Sequence, residues 1–277
     1  MRFVKQLLAV AAVALIGGQG VAAADGNALL TLVIGAVTAV LGVVVYRWVV
    51  RRTEHREPAE LGRDGWAGKL GRGMLIGFAM FAAVIANIAF LGGYHVEGWG
   101  SPAGALGLLG FMAAAAVSEE LLFRGVLFRI IEERTGTWIA LALTGVVFGA
   151  MHLVNPDATL WGATAIAIEA GFMLAACYAA TRNLWVPIGL HFAWNFAAGG
   201  VFSVAVSGNG ESTGLLEAST SGPVALSGGA FGPEGSLYAV LAGAVLTVVF
   251  LWLAKRRGHL VPRRRPAQAP ATATVAR

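Results

Sequence analysis

The sequence predicts an all-α fold: a polytopic membrane helix bundle of about eight helices, or seven if the first is removed as a signal peptide. Three observations carry this. Only 13% of the 277 residues are charged, 57% are hydrophobic, and mean hydropathy is +0.72, whereas an ordinary soluble domain carries about 25% charge. The apolar residues fall into blocks of about 20, the length that crosses a hydrocarbon core about 30 Å thick, without the alternation of half-buried strands. The basic residues lie at one side of these blocks, as charge retained in the cytosol does. The 38 glycines follow no G-x-y period, which excludes a collagen-like polymer. The net charge of +5 flanks apolar blocks and forms no patch interleaved with aromatics, so it implies a lipid bilayer as partner and no nucleic acid. Cys177 is the single cysteine, which excludes intramolecular disulfides and cysteine metal clusters.

In chain order the blocks cover about 4–24, 28–50, 74–93, 103–131, 137–154, 158–180, 184–206 and 237–254. The first has Arg2 and Lys5 ahead of a short apolar stretch, and Val21-Ala22-Ala23-Ala24 ahead of Asp25. Residues 1–24 therefore read either as a signal peptide or as the first membrane helix. Both readings leave residue 25 outside the cytosol, and residues 25–254 form the multi-helix membrane domain. The basic connections near 51–73, 132–136 and 181–183, and the tail after 254, are assigned to the cytosol. Arg47, Arg124 and Arg129 lie in the cytosolic halves of their spans. The loops at 25–27, 94–102, 155–157 and 207–236 hold no Lys or Arg and are assigned to the exterior. The last of these, rich in Gly and Ser and carrying Glu211, Glu217 and Glu234, reads as a flexible connector in preference to a lid. Residues 255–277, with Arg263-Arg264-Arg265, read as a disordered basic cytosolic tail. No internal repeat argues for an inverted-repeat transporter.

Ionisable side chains at bilayer depth are costly, so each is a functional candidate. The candidates are Glu119, Glu120, Arg124, His152, Glu169 and His191, with Asn195 beside them. Glu120 and Arg124 stand at i and i+4, in the favourable order for an ion pair on one helix. Glu119 is rotated about 100° from Glu120 and is free to serve as the reactive carboxylate. His191 and Asn195 also stand at i and i+4 and share a face. A carboxylate, two imidazoles and an amide supply a base, proton donors and an oxyanion partner, the inventory for hydrolysis of an acyl bond by activated water. The same side chains offer a second reading, one Zn²⁺ held by His152, His191 and a Glu. Glu169 stands apart and reads as a bond to a neighbouring helix in preference to a chamber wall. There is no G-x-S-G serine, no H-E-x-x-H helix, no membrane G-x-G-D aspartate and no Walker phosphate loop.

Glu119-Glu120-x-x-x-Arg124, Phe148-x-x-x-His152 and His191-x-x-x-Asn195, in that order on three membrane helices, resemble the CPBP intramembrane metalloprotease family. This group of CAAX proteases and bacteriocin-processing enzymes includes the type II CAAX prenyl endopeptidases and the lysostaphin-resistance-protein-A-like proteins. The similar stretch covers about residues 104–200 and includes Leu184-Trp185-x-Pro187-Ile188. The resemblance implies an intramembrane endopeptidase. In it Glu119 activates water, His152 and His191 complete the site, Asn195 helps hold the oxyanion, and Glu120 and Arg124 give support. A metal form, with Zn²⁺ on Glu119, His152 and His191, stays open. The signal-like N-terminus and short loops point to a bacterial inner (plasma) membrane with the C-terminus cytosolic, where a prenylated substrate is not expected. The expected partner is a membrane-associated peptide or protein. Two alternatives stand beside this: a non-catalytic scaffold or bacteriocin self-immunity protein, and a proton-coupled transporter. One tension remains in the spacing. Measured along the helices from the cytosolic turns, Glu119 and His152 lie roughly 20–25 Å deep but His191 only about 12 Å.

Overall fold

The computed structural model describes residues 1–24 and 26–263. Among the described residues, seven helices are long and apolar enough to cross a membrane: α1 (Arg2–Ala23), α2 (Ala28–Glu54), α3 (Trp66–Phe90), α4 (Pro102–Thr135), α5 (Thr137–Val154), α6 (Leu160–Thr181) and, after the shorter α7, α8 (Leu237–Arg256). Helix α7 runs Trp185–Asn195 and continues as a π-helical turn over Phe196–Val201. The protein is thus a nearly all-α polytopic bundle. Helices α2, α4, α6 and α8, which start on the side without Lys or Arg, are each capped by a polar side chain. Asn27, Ser101, Thr159 and Ser236 accept from the backbone N–H of Leu30, Gly104, Gly162 and Ala239. Each satisfies an N–H that the helix cannot pair internally.

Close packing follows from small residues, which let membrane helices approach backbone to backbone. A Cβ at Gly35 of α2 would strike the Gly110 backbone of α4. Gly73 and Gly77 of α3 face the backbone of Val186 and Leu190, and Gly189 faces that of Leu70, so α3 and α7 touch along their length. Three of the helices widen to π-helical turns at Leu121–Phe128 in α4, Ala167–Phe172 in α6 and Phe196–Val201 in α7. These turns carry or follow the intramembrane polar residues, and π-turns concentrate at functional sites.

The connections that hold no Lys or Arg depart from the sequence expectation. Residues Tyr94–Trp99 (β1) and Leu216–Thr220 (β2) pair antiparallel, with Tyr94 opposite Thr220 and Trp99 opposite Leu216. The segment 207–236, expected to be a flexible connector, is instead built of β2, a helical turn at Val224–Ser227 and two 3₁₀ turns, with Phe231 and Glu234 buried. Alternation is weak over so short a ribbon, which is why it escapes pattern reading.

At the end of the bundle where Lys and Arg gather, Gln6 of α1 is fully buried. It donates to Thr53 Oγ1 and Glu54 Oε1, each at 2.8 Å, and accepts from Arg129 Nη2 at 2.8 Å. The first block is therefore packed into the bundle as a helix. The segment read as a disordered tail is tied down at its start: His259 Nδ1 lies 3.0 Å from the Ala180 carbonyl, and Val261 exchanges hydrogen bonds with Thr137 at 2.8 and 3.0 Å. The remainder of that reading, 264–277, lies outside the described residues.

Candidate active site

Glu119 and Glu120 sit where α4 changes from α- to π-helical winding. Glu120 is fully buried, and its Oε1 accepts from Arg124 Nη1 at 2.7 Å. Arg124 in turn donates to the carbonyls of Ala170 and Gly171, both at 3.1 Å, in the π-turn of α6, and its guanidinium lies 4.6 Å from the centre of the Phe148 ring. A buried charge is tolerable when it is paired; Glu120 Oε2, by contrast, is buried with no hydrogen-bond partner among the described residues. The pair thus locks α4 to α5 and α6.

Glu120 Oε1 also lies 2.9 Å from Nδ1 of His191. An ionised carboxylate can only accept, so the imidazole proton is assigned to Nδ1 and Nε2 is directed elsewhere. Nε2 stands 3.9 Å from Oε2 of Glu119, whose side chain is 34% exposed. The depth mismatch counted from the helix ends is absent here, for a local reason. Asn183 and Leu184 are buried, and Leu184 N–H bonds to the Glu60 carbonyl at 2.8 Å, so α7 starts inside the bundle rather than at its surface.

Asn195 is 8% exposed, and among the described residues its amide has no hydrogen-bond partner. His152 closes α5, with Nδ1 2.8 Å from the Phe148 carbonyl, and the Phe148 ring lies 5.1 Å from His152 and 6.0 Å from His191, centre to centre. Glu120, Arg124 and His191 are thus directly bonded, and Glu119 stands 3.9 Å from the imidazole without a hydrogen bond to it. Among the described residues His152 makes no hydrogen bond or ion pair with Glu119, His191 or Asn195, and Phe148 stands between the two imidazoles.

The metal reading requires Glu119, His152 and His191 to converge. Among the described residues no three His, Cys, Asp or Glu side chains are arranged to hold a metal ion, so these residues do not fit Zn²⁺ in this arrangement. Glu169 also differs from expectation. It is fully buried against Gly243 of α8, yet neither carboxyl oxygen has a partner, so it makes no bond to a neighbouring helix.

The exposed side of Glu119 borders an apolar cleft of about 170 Å³, walled by Ala14, Gly18 and Val21 of α1 and by Phe111 and Ser118 of α4. Sequence reading missed this wall, and it missed Glu234. That carboxylate, 1% exposed, accepts from Trp194 Nε1 at 2.7 Å and from the Ser207 hydroxyl at 2.9 Å, and also from Ser207 N–H. Burial pushes the Glu234 carboxyl above its ordinary value, against those hydrogen bonds and the nearby His152. No periodicity or motif marks a glutamate in a Gly-rich loop.

Residues 101–197, which contain every one of these groups on α4, α5, α6 and α7, match the family model described as type II CAAX prenyl endopeptidase Rce1-like. Over this stretch the chain is similar to that family. It is also 33% identical over 79 residues to a protein of Bacillus subtilis (strain 168) named "Putative membrane peptidase YdiL". That similarity covers 28% of this chain and spans about 30% of the relative's length. No solved structure matches the chain. The matched stretch ends just past Asn195, so α1, α2, α3, α8 and the segment with Glu234 lie outside it.

Proposed function

We propose that the protein is an intramembrane endopeptidase of the CAAX-protease type, which hydrolyses a peptide bond of a membrane-associated protein or peptide with water activated by Glu119. The observation that carries this is the pairing of Glu119 Oε2 with His191 Nε2 across 3.9 Å while Glu120 holds the far side of the imidazole. A water seated between them donates to the carboxylate and to Nε2. Glu119 takes one proton as the water attacks the scissile carbonyl, and returns it to the departing amine. Asn195 Nδ2, unengaged within the described chain, donates to the oxyanion, where a positioned donor acts in the transition state. His152, its Nδ1 held by the Phe148 carbonyl, lies across the Phe148 ring from His191 and is proposed to complete the site once substrate is bound. The cleft beside Glu119 suits the apolar flank of a substrate arriving within the bilayer.

The one-sided distribution of Lys and Arg supports insertion in a bacterial inner membrane with the C-terminus in the cytosol. The decisive test is incubation of the purified protein with a membrane peptidome beside Glu119→Gln. Cleavage products should appear with the wild type and vanish with the variant while its helical signal persists. Turnover retained by Glu119→Gln would sink the assignment, as would cleavage by neither protein.

A further inference from the structure

We infer that Glu234 is a positioning residue for the site: it fixes the rotation of α7, and with it the aim of Asn195 and His191, and ties that helix to the turn that carries His152. The inference rests on the peptidase reading above and extends it beyond the matched stretch, since Glu234 lies outside residues 101–197.

Trp194 is clamped on two sides. Its ring meets Phe81 of α3 edge-on at 4.9 Å, and its Nε1 donates to Glu234 at 2.7 Å. Successive residues on an α-helix are set about 100° apart, so holding the Trp194 side chain sets where Asn195 points and where His191, three residues earlier, points. Such a stop is needed here because α7 changes to π-helical winding directly after Asn195, where the backbone can re-register.

The other oxygen of Glu234 reaches the second half of the site. It accepts from both the N–H and the hydroxyl of Ser207, a non-glycine residue held at φ 52°. A left-handed conformation at such a residue persists when its surroundings hold it. The Ser207 carbonyl accepts from Asn155 Nδ2 at 2.6 Å, three residues beyond His152, and Asp157 N–H bonds to the Gly208 carbonyl at 2.9 Å. Trp161 at the start of α6 fastens the same segment by donating to the Gly235 carbonyl at 2.7 Å. One buried carboxylate thus joins the Asn195 helix to the His152 turn.

The test compares Glu234→Gln, Trp194→Phe and the double variant with wild type. The first readout is the ¹⁵N-resolved side-chain amide signal of Asn195 in detergent micelles, identified by its loss in Asn195→Ala. The second is the kinetics on a reporter peptide taken from the peptidome products. The expected result is a moved Asn195 signal and a kcat lowered about tenfold or more with KM held, in each single variant, and no further loss in the double. An Asn195 signal unmoved in folded Glu234→Gln, or single effects that multiply in the double, would overturn the inference. If Glu234→Gln does not fold, Trp194→Phe decides by the same readouts, since it removes the same hydrogen bond and keeps an aromatic ring beside Phe81. A wild type that cleaves nothing defeats the peptidase reading alone and leaves the Asn195 signal to judge Glu234.

Discussion

At the scale of single residues, the division of labour between the two adjacent glutamates comes from their partners. Glu120 is enclosed, with Arg124 and His191 both on its Oε1, while Glu119 keeps a face toward the cleft. The i, i+4 spacing made the Glu120–Arg124 pairing legible before any coordinates. The bond from Glu120 to His191 was not legible, because the two lie 71 positions apart and no local pattern links them. Asn195 carries a prediction that separates catalysis from packing. As a donor to the oxyanion it acts in the transition state and not on bound substrate, so Asn195→Ala should lower kcat by on the order of 100-fold and leave KM nearly unchanged. Because its amide makes no bond within the described chain, the same change should leave thermal unfolding close to that of wild type. Steady-state kinetics beside a melting curve checks both, and a change confined to KM would contradict the role.

At the scale of elements, hydropathy located all of the long helices, because a bilayer demands about 20 apolar residues whatever the tertiary contacts. It could not show where a helix widens into a π-turn, nor that α7 begins below the surface, since both depend on which backbones touch. The α3–α7 crossing is that kind of contact. A Cβ at Gly77 would run into the Leu190 carbonyl, one residue from His191, with nothing flexible to yield. Gly77→Ala should therefore force the helices apart, lower the unfolding temperature, and reduce cleavage beyond the loss of folded protein because His191 shifts from Glu119. Gly71→Ala on the same helix is the control. Nothing lies within 4 Å of its Cβ, so the gain in helix propensity should leave stability equal or slightly higher. Equal stability and activity in both variants would show that the crossing does not set the site.

At the scale of the whole molecule, the two ends of the bundle are closed by carboxylates of opposite electrostatic character, and this gives them opposite responses to pH. Glu60, in the connection between α2 and α3, would be raised by its burial, but hydrogen bonds from Arg56 and Tyr46 and the Arg56 charge outweigh that and hold it below its ordinary value. Arg129 Nε stands 3.6 Å away on the same carboxylate. A folded pKa below the unfolded one stabilises the fold above the ordinary carboxylate range, and that stability is lost as pH falls through the lowered value. Glu234 at the opposite end of the bundle runs the other way. Its folded pKa is raised by burial, with the hydrogen bonds from Trp194 and Ser207 and the nearby His152 opposing. Its contribution is complete below the ordinary carboxylate value and declines as pH rises through the raised one. Unfolding temperature in detergent, followed from acid to neutral pH, should thus pass through a maximum. Glu60→Gln should flatten the acid limb and leave the other slope in place, whereas Glu234→Gln should flatten the limb on the neutral side. The same slope lost from both variants, or from neither, would mean that other groups govern the pH response, because each substitution removes one titrating carboxyl and the two lie at opposite ends of the bundle.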